Sequence, residues 1–219
     1  MTDASPSPVP DLSGGVLATY LAAKLCHDFI SPAGAIMSGL DLLNDPSAQD
    51  MRDDALGLIT DSATKLVALV QFCRVAFGAA TTSERFTGDE LKALVDGMIK
   101  GGRATLDWRI TETTFDKPAA RALVNLAYLT AAALPTGGVA TVTSRRDGDR
   151  LVLTGLAEGT RARFKPEAAT GLAGRRLEEG LTGQWIQPYW LWLTVKEAGG
   201  ILAAVTEEGR VAIEARMPI

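Results

Sequence analysis

Leu25-Cys26-His27-Asp28-Phe29-Ile30-Ser31-Pro32-Ala33-Gly34-Ala35-Ile36 is the stretch that decides how the first third of the chain folds. Reading outward from it on both sides, Leu17, Leu21, Leu25, Phe29, Ala33, Ile36, Leu40 and Leu43 recur at steps of three and four, which predicts one face of a helix over 15–44. Asn44-Asp45-Pro46 ends it. Ser47, with Asp50 three residues on, predicts the cap of a second helix, and Met51, Ala55, Leu58, Leu66, Leu69, Cys73 and Ala76 carry its stripe to Phe77. Each arm of this hairpin has about thirty residues, roughly 45 Å at about 1.5 Å per residue. Two amphipathic helices alone cannot enclose their apolar seam. A homodimer is therefore expected, two hairpins closing a four-helix bundle with Leu17, Leu21, Leu25, Ile36 and Leu40 in the shared seam.

His27 is the only histidine in the chain, so any chemistry that needs an imidazole falls on it. At 100° per residue it lies opposite the apolar stripe, among Lys24, Ser31, Gly34 and Ser38, and should point into solvent. Pro32 sits inside an otherwise well-formed helix at a cost of about 3 kcal/mol and leaves the Asp28 carbonyl without its helical donor. A histidine followed by an acidic residue and, four residues later, a proline resembles the phosphoacceptor box of histidine kinases and related phosphotransferases. The chemistry suits the site. An ordinary imidazole is substantially neutral at pH 7, so it can attack phosphorus and later leave from a phosphoramidate. Asp28 can accept a hydrogen bond from one ring nitrogen and leave the other as nucleophile, and Lys24, one turn earlier, either sits beside the phosphoryl oxygens or is simply solvated. An approaching receiver should dock on Lys24, Ser31, Gly34 and Ser38 with a neighbouring strip of the second helix.

Residues 78–88, rich in Ala, Thr and Ser, read as a linker into a region of different periodicity. Helical patterns over 89–100, 118–134 and 187–198 alternate with strand patterns over 105–111, 139–145, 150–155, 201–205 and 210–217, with turns at Asp147-Gly148 and Glu208-Gly209. This predicts an α+β sandwich, helices on one face of a mixed sheet. The expected organisation is a disordered 1–12, a dimerisation and phosphotransfer hairpin over 13–80, and the sandwich over 81–219.

Within the sandwich, Leu123-Val124-Asn125-Leu126-Ala127-Tyr128-Leu129 through Pro135-Thr136-Gly137-Gly138 resembles the N-box of the GHKL ATPase fold found in histidine kinases. Asn125 matches the first asparagine of that pattern; Leu129 stands where the second, a magnesium ligand, belongs, and a leucine offers no oxygen. The adenine-binding aspartate is missing too, since no aspartate follows Asp149 and the stretch Leu153-Thr154-Gly155-Leu156-Ala157-Glu158-Gly159 keeps only glycines. Gly180-Leu181-Thr182-Gly183 resembles the phosphate loop, interrupted by Gln184, Trp185 and Pro188. Trp185, Tyr189, Trp190 and Trp192, on or just before a helix that packs on a sheet, are expected in the core, and Arg145-Arg146 to be solvated.

The order of phosphoacceptor box, hairpin, N-box and terminal helix is similar to the ChpT-type histidine phosphotransferases of alphaproteobacteria. That resemblance implies a degenerate ATPase-like domain without ATP, with Mg²⁺ only on the partner receiver. It also implies transfer through His27 from the receiver of a CckA-like hybrid kinase to CtrA-like and CpdR-like response regulators in cell-cycle control, with Asp28 as the neighbouring acidic residue. Two rival readings are an active ATP-dependent histidine kinase and a non-catalytic dimeric adaptor that sequesters regulators. Composition narrows the classes further. A net charge of −4 and a pI near 5.1 give no basic field for nucleic acid. The two cysteines, Cys26 and Cys73, suggest neither a disulfide framework nor a zinc site, and Cys26 is expected to pack between helices. No apolar run of membrane-spanning length and no basic leader is read, so the expected location is the cytoplasm.

Overall fold

The computed structural model describes residues 12–78, 85–177 and 182–219. The expected disorder of the first residues and the centre of the expected linker fall outside these. Helix α1, Gly14–Asn44, starts on Ser13, whose hydroxyl accepts from the Val16 amide, and runs unbroken through Pro32. Ser47 does not cap the second helix. Asp45 Oδ1 accepts from both its amide and its hydroxyl, at 2.8 and 2.7 Å, and the chain enters through a single 3₁₀ turn, Gln49–Met51, before helix α2, Arg52–Ala76. An aspartate two residues earlier reaches the serine first, as Asx turns do. The hairpin closes tightly at Gly39, where a Cβ would come within 2.6 Å of Ile59 Cγ1 and 3.1 Å of the Ala55 carbonyl.

The second half begins with strand β1, Phe86–Thr87, paired with β3, Thr114–Phe115, a small ribbon that leaves no alternating pattern to read. Thr87 and Glu90 form a reciprocal capping box for α3, Gly88–Ile99. Strand β2, Ala104–Arg109, connects through β3 and α4, Lys117–Ala132, to β4, Gly138–Asp147, lying parallel to it, as a long helical crossover permits. Strands β5, Arg150–Glu158, β6, Ile201–Glu207, and β7, Arg210–Pro218, add antiparallel, giving the order β2-β4-β5-β7-β6. Gly148 and Gly209, at φ +61° and +70°, make the two hairpin turns. A short helix α5, Pro166–Leu172, precedes α6, Thr182–Glu197. The α+β sandwich is as expected, but α6 starts five residues earlier than its periodicity indicates and passes through Pro188, because that stretch is buried nearly all round and has no polar face to set a period.

The two halves share one core. Leu69, Phe72, Cys73 and Ala76 of α2 pack with Leu91 and Val95 of α3, Leu123 and Leu126 of α4, and Ile213 of β7, and Leu25 and Phe29 of α1 lie against the same cluster. A second contact joins α1 to α6: Leu17, Tyr20 and Leu21 pack on Trp185, Ile186 and Tyr189. The expected seam is corrected by this at its first three positions. Leu17, Leu21 and Leu25 are covered by the chain's own second half, which a single-helix pattern cannot anticipate. Leu40 stays exposed, as the expected seam has it, and the other large apolar residues exposed on the hairpin are Val16, Ile30 and Met37 on α1, Met51 in the 3₁₀ turn, and Leu56, Leu58, Val67 and Val70 on α2, with Ile30 70 %, Met37 58 % and Val67 56 % accessible. Residues 49–76 are long and apolar enough to cross a membrane by length and composition alone; here their inner face carries the shared core.

Candidate phosphoacceptor site

His27 projects from the middle of α1 with 85 % of its side chain accessible, as its helical angle requires. Its Nδ1 lies 3.2 Å from Asp28 Oδ1, and Asp28 Oδ2 accepts from Lys24 Nζ at 2.7 Å. Asp28 thus occupies the expected place beside the ring. With Nδ1–H donating to the carboxylate, the Nε2 lone pair faces solvent and is free to form a bond. Ser31, Gly34 and Ser38 lie on the same exposed flank, and nothing stands within 4 Å of a Cβ built on Gly34.

Lys24 departs from expectation. It is buried, at 9 % exposure, rather than part of a solvated face, and its ammonium is turned to Asp28. Tyr128 of α4 and Cys73 of α2 stand beside it, and burial pushes the Cys73 thiol up to about 11 and raises the Tyr128 phenol above its ordinary value. The burial comes from an element a hundred residues away in sequence, so no reading of α1 alone reveals it. Cys26 is corrected in the opposite direction: it is exposed, on the stripe of Ile30 and Met37, while Cys73 is buried.

Behind His27 a cleft of about 670 Å³ opens between α1 and the second half, lined in part by Tyr128, Leu129, Arg163, Lys165, Gln184 and Gln187. This wall carries the N-box residues. Asn125 faces no open space at all: fully buried, its Nδ2 donates to the carbonyls of Ala76 and Arg121 at 3.1 and 2.9 Å, and its Oδ1 accepts from Gln187 Nε2 at 3.0 Å. Trp190 Nε1 donates to the same Ala76 carbonyl at 2.6 Å, and Arg121 to that of Gly78. The carbonyl of Ala76, the last residue of α2, and that of Gly78 just beyond it are thereby capped by the second half. Leu129, the residue that the resemblance sets against a magnesium-binding asparagine, is buried. Gly155 is kept for packing: a Cβ there would overlap Thr130 Oγ1 and lie 2.8 Å from Leu126 Cδ2. Trp185 and Tyr189 of α6 are core residues as expected, stacked with ring centroids 4.7 Å apart, but they and the partly buried Trp190 and Trp192 do not lie on the sheet: their cluster is completed by Leu17, Tyr20 and Leu21 of α1. Arg145 is exposed and pairs with Asp147 at 3.1 Å. Gly180 and Leu181 lie outside the described residues.

The sequence model of the histidine phosphotransferase C-terminal domain matches residues 88–210, more than half of the chain. The chain belongs to that family. Over 194 residues it is 33 % identical to the protein phosphotransferase ChpT of Brucella abortus (strain 2308), covering 86 % of this chain and 89 % of that protein. A solved bacterial phosphotransferase superposes with a TM-score of 0.82 at 27 % identity, covering 95 % of this chain and 98 % of the other. ShkA, solved full-length in complex with AMPPNP, gives a TM-score of 0.51 at 16 % identity over 94 % of this chain and 46 % of its own, a likeness of fold alone. The protein is thus a ChpT-like phosphotransferase, with a helical hairpin in front of a sheet domain.

Proposed function

We propose that this phosphotransferase works as a homodimer in the cytoplasm, taking a phosphoryl group onto His27 from the receiver domain of a hybrid histidine kinase and passing it to response regulators. The observation that carries this reading is an exposed imidazole whose Nδ1 is engaged by Asp28 and whose Nε2 is free. In the forward step the Nε2 lone pair forms the N–P bond as the P–O bond of the receiver's aspartyl phosphate breaks, and the aspartate carboxylate leaves with the electron pair. Nδ1 keeps its proton throughout, and Asp28 faces the positive charge that the phosphorylated ring acquires. The likeness to ChpT-type proteins points to a CckA-like donor and to CtrA-like and CpdR-like acceptors in cell-cycle control. Mixing the protein with each phosphorylated receiver of its own cell tests this directly. Acid-labile label on His27 is expected; a protein that binds receivers without ever becoming labelled would be an adaptor instead.

Leu129 and the missing late aspartate argue that no nucleotide is bound here, Mg²⁺ being needed only on the receiver. Titration with millimolar Mg-ATP should give no heat of binding and no labelling, and micromolar affinity would restore the kinase reading.

The exposed apolar stripes support the dimer. Ile30, Met37 and Leu40 recur at steps of seven and three, and Leu56, Val67 and Val70 at eleven and three, the spacing of a coiled-coil seam. Light scattering should give about 46 kDa, twice the 23.1 kDa chain mass, and the double variant Met37→Glu, Val67→Glu should run as a monomer. A wild-type monomer at micromolar concentration would remove the dimer from this proposal.

Docking is placed on the flank of Ser31, Gly34 and Ser38, since an in-line approach to Nε2 at about 3–3.5 Å brings the receiver along the bundle. Gly34→Arg adds bulk to an open surface and, by helix propensity, should not weaken α1. We expect the apparent Michaelis constant for the receiver to rise about tenfold, equal to about 1.4 kcal/mol if binding dominates it. Unchanged kinetics in a folded Gly34→Arg dimer would place the receiver elsewhere.

A further inference from the structure

Lys24 is a buried cation one helical turn before the phosphoacceptor, and a buried ion pair is weak evidence of a stabilising device, since its desolvation commonly cancels its attraction. Its placement is better explained by what it does to Asp28. One carboxylate oxygen of Asp28 is held by Lys24 Nζ at 2.7 Å, and the other meets His27 Nδ1 at 3.2 Å. A carboxylate gripped at one oxygen by a buried side chain, whose rotamers the packing restricts, presents the second oxygen in a preferred direction.

We propose that Lys24 is a positioning residue for phosphotransfer: from its buried seat it locks the Asp28 carboxylate, which fixes His27 in the Nδ1–H tautomer and keeps Nε2 as the nucleophile. This rests on the reading of His27 as phosphoacceptor and adds to it a role for the second half of the protein, because α4 supplies part of the wall that buries Lys24. Tyr128 of α4 packs on Phe72 of α2 with ring centroids 5.5 Å apart and lines the cleft beside Lys24 and Asp28. The groups that face the pair are Cys73 from α2 and Tyr128 from α4, with Arg163 and Lys165 across the cleft. Both the thiol and the phenol are driven toward their neutral forms by burial, so neither competes with Asp28 for the lysine near pH 7. The relay is therefore lysine to carboxylate to imidazole, with the last ring nitrogen open to the receiver.

A single histidine makes the test clean, since a chain labelled with ¹⁵N-histidine gives one imidazole spectrum. Free imidazole side chains favour the Nε2–H tautomer. In the wild type, with the ring in its neutral form, the nitrogen shifts should report Nδ1–H as the major tautomer. Lys24→Met, close in volume but uncharged, should shift the population toward Nε2–H and lower kcat for transfer about tenfold or more, the scale on which losing the orienting partner of a reacting imidazole acts. The Michaelis constant for the receiver should stay within about twofold, because a buried lysine offers a receiver little surface. Lys24→Arg should restore both the tautomer and most of the rate. A wild-type spectrum dominated by Nε2–H overturns the proposal whether or not any variant folds, and so does a folded Lys24→Met with wild-type tautomer and kcat. Failure of the wild type to accept a phosphoryl group at all would instead remove the functional reading, while the tautomer measurement would still decide the role of Lys24.

Discussion

In His27→Gln, phosphoryl transfer from a phosphorylated receiver should fall by at least about 10⁴-fold, the scale on which loss of a sole nucleophile acts, while the protein folds and dimerises as before. No second imidazole exists to take over. Of the neighbouring groups, Lys24 and Asp28 are committed to each other at 2.7 Å, and an amide side chain has no lone pair able to hold a phosphoryl group at nitrogen. Stability should change by no more than about 0.5 kcal/mol, because the ring is almost fully exposed and packs against nothing in the core. The measurement is a single-turnover transfer assay beside a thermal melt. Acid-labile label persisting in His27→Gln would mean that the phosphoryl group travels through another residue.

Asn125→Leu should be the most damaging change to the fold outside the apolar core. The leucine removes the acceptor of Gln187 Nε2, leaving a buried donor unpaired at about 1–3 kcal/mol, and it breaks one of the links between α4 and the end of α2. With some overpacking added, the total comes to about 3 kcal/mol, which at about 2–4 °C per kcal/mol for a chain of this size lowers the melting temperature by about 6–12 °C. Replacing Gln187 by leucine as well should recover part of the loss, since removing both partners leaves no orphan. A melting temperature within about 2 °C of wild type, at about 2–4 °C per kcal/mol, would show that this polar knot contributes little. The asparagine that marks an ATPase-like pattern in the sequence thus serves in this chain as a joint between hairpin and sheet domain.

The sequence by itself determined the features that depend on local periodicity and on residue chemistry. The hairpin, the strand pairs turning at Gly148 and Gly209, the exposure of His27 and the place of Asp28 beside its ring all follow from a residue's angle or parity on its own element and from turn glycines. Leu129 likewise states its chemistry without coordinates. Tertiary structure decided what depends on the covering of one element by another. Helix α6 covers Leu17 and Leu21, so the exposed apolar stripe keeps Leu40 from the expected seam and adds Ile30, Met37 and their counterparts on α2. The packing of α4 beside Lys24 turned a residue that reads as solvated into a buried partner of Asp28. Asn125 found its acceptor on α2, 49 residues away in the chain. A helical wheel gives the direction in which a side chain points, whereas the environment it meets there is set by long-range packing, which leaves no period in the sequence of either partner.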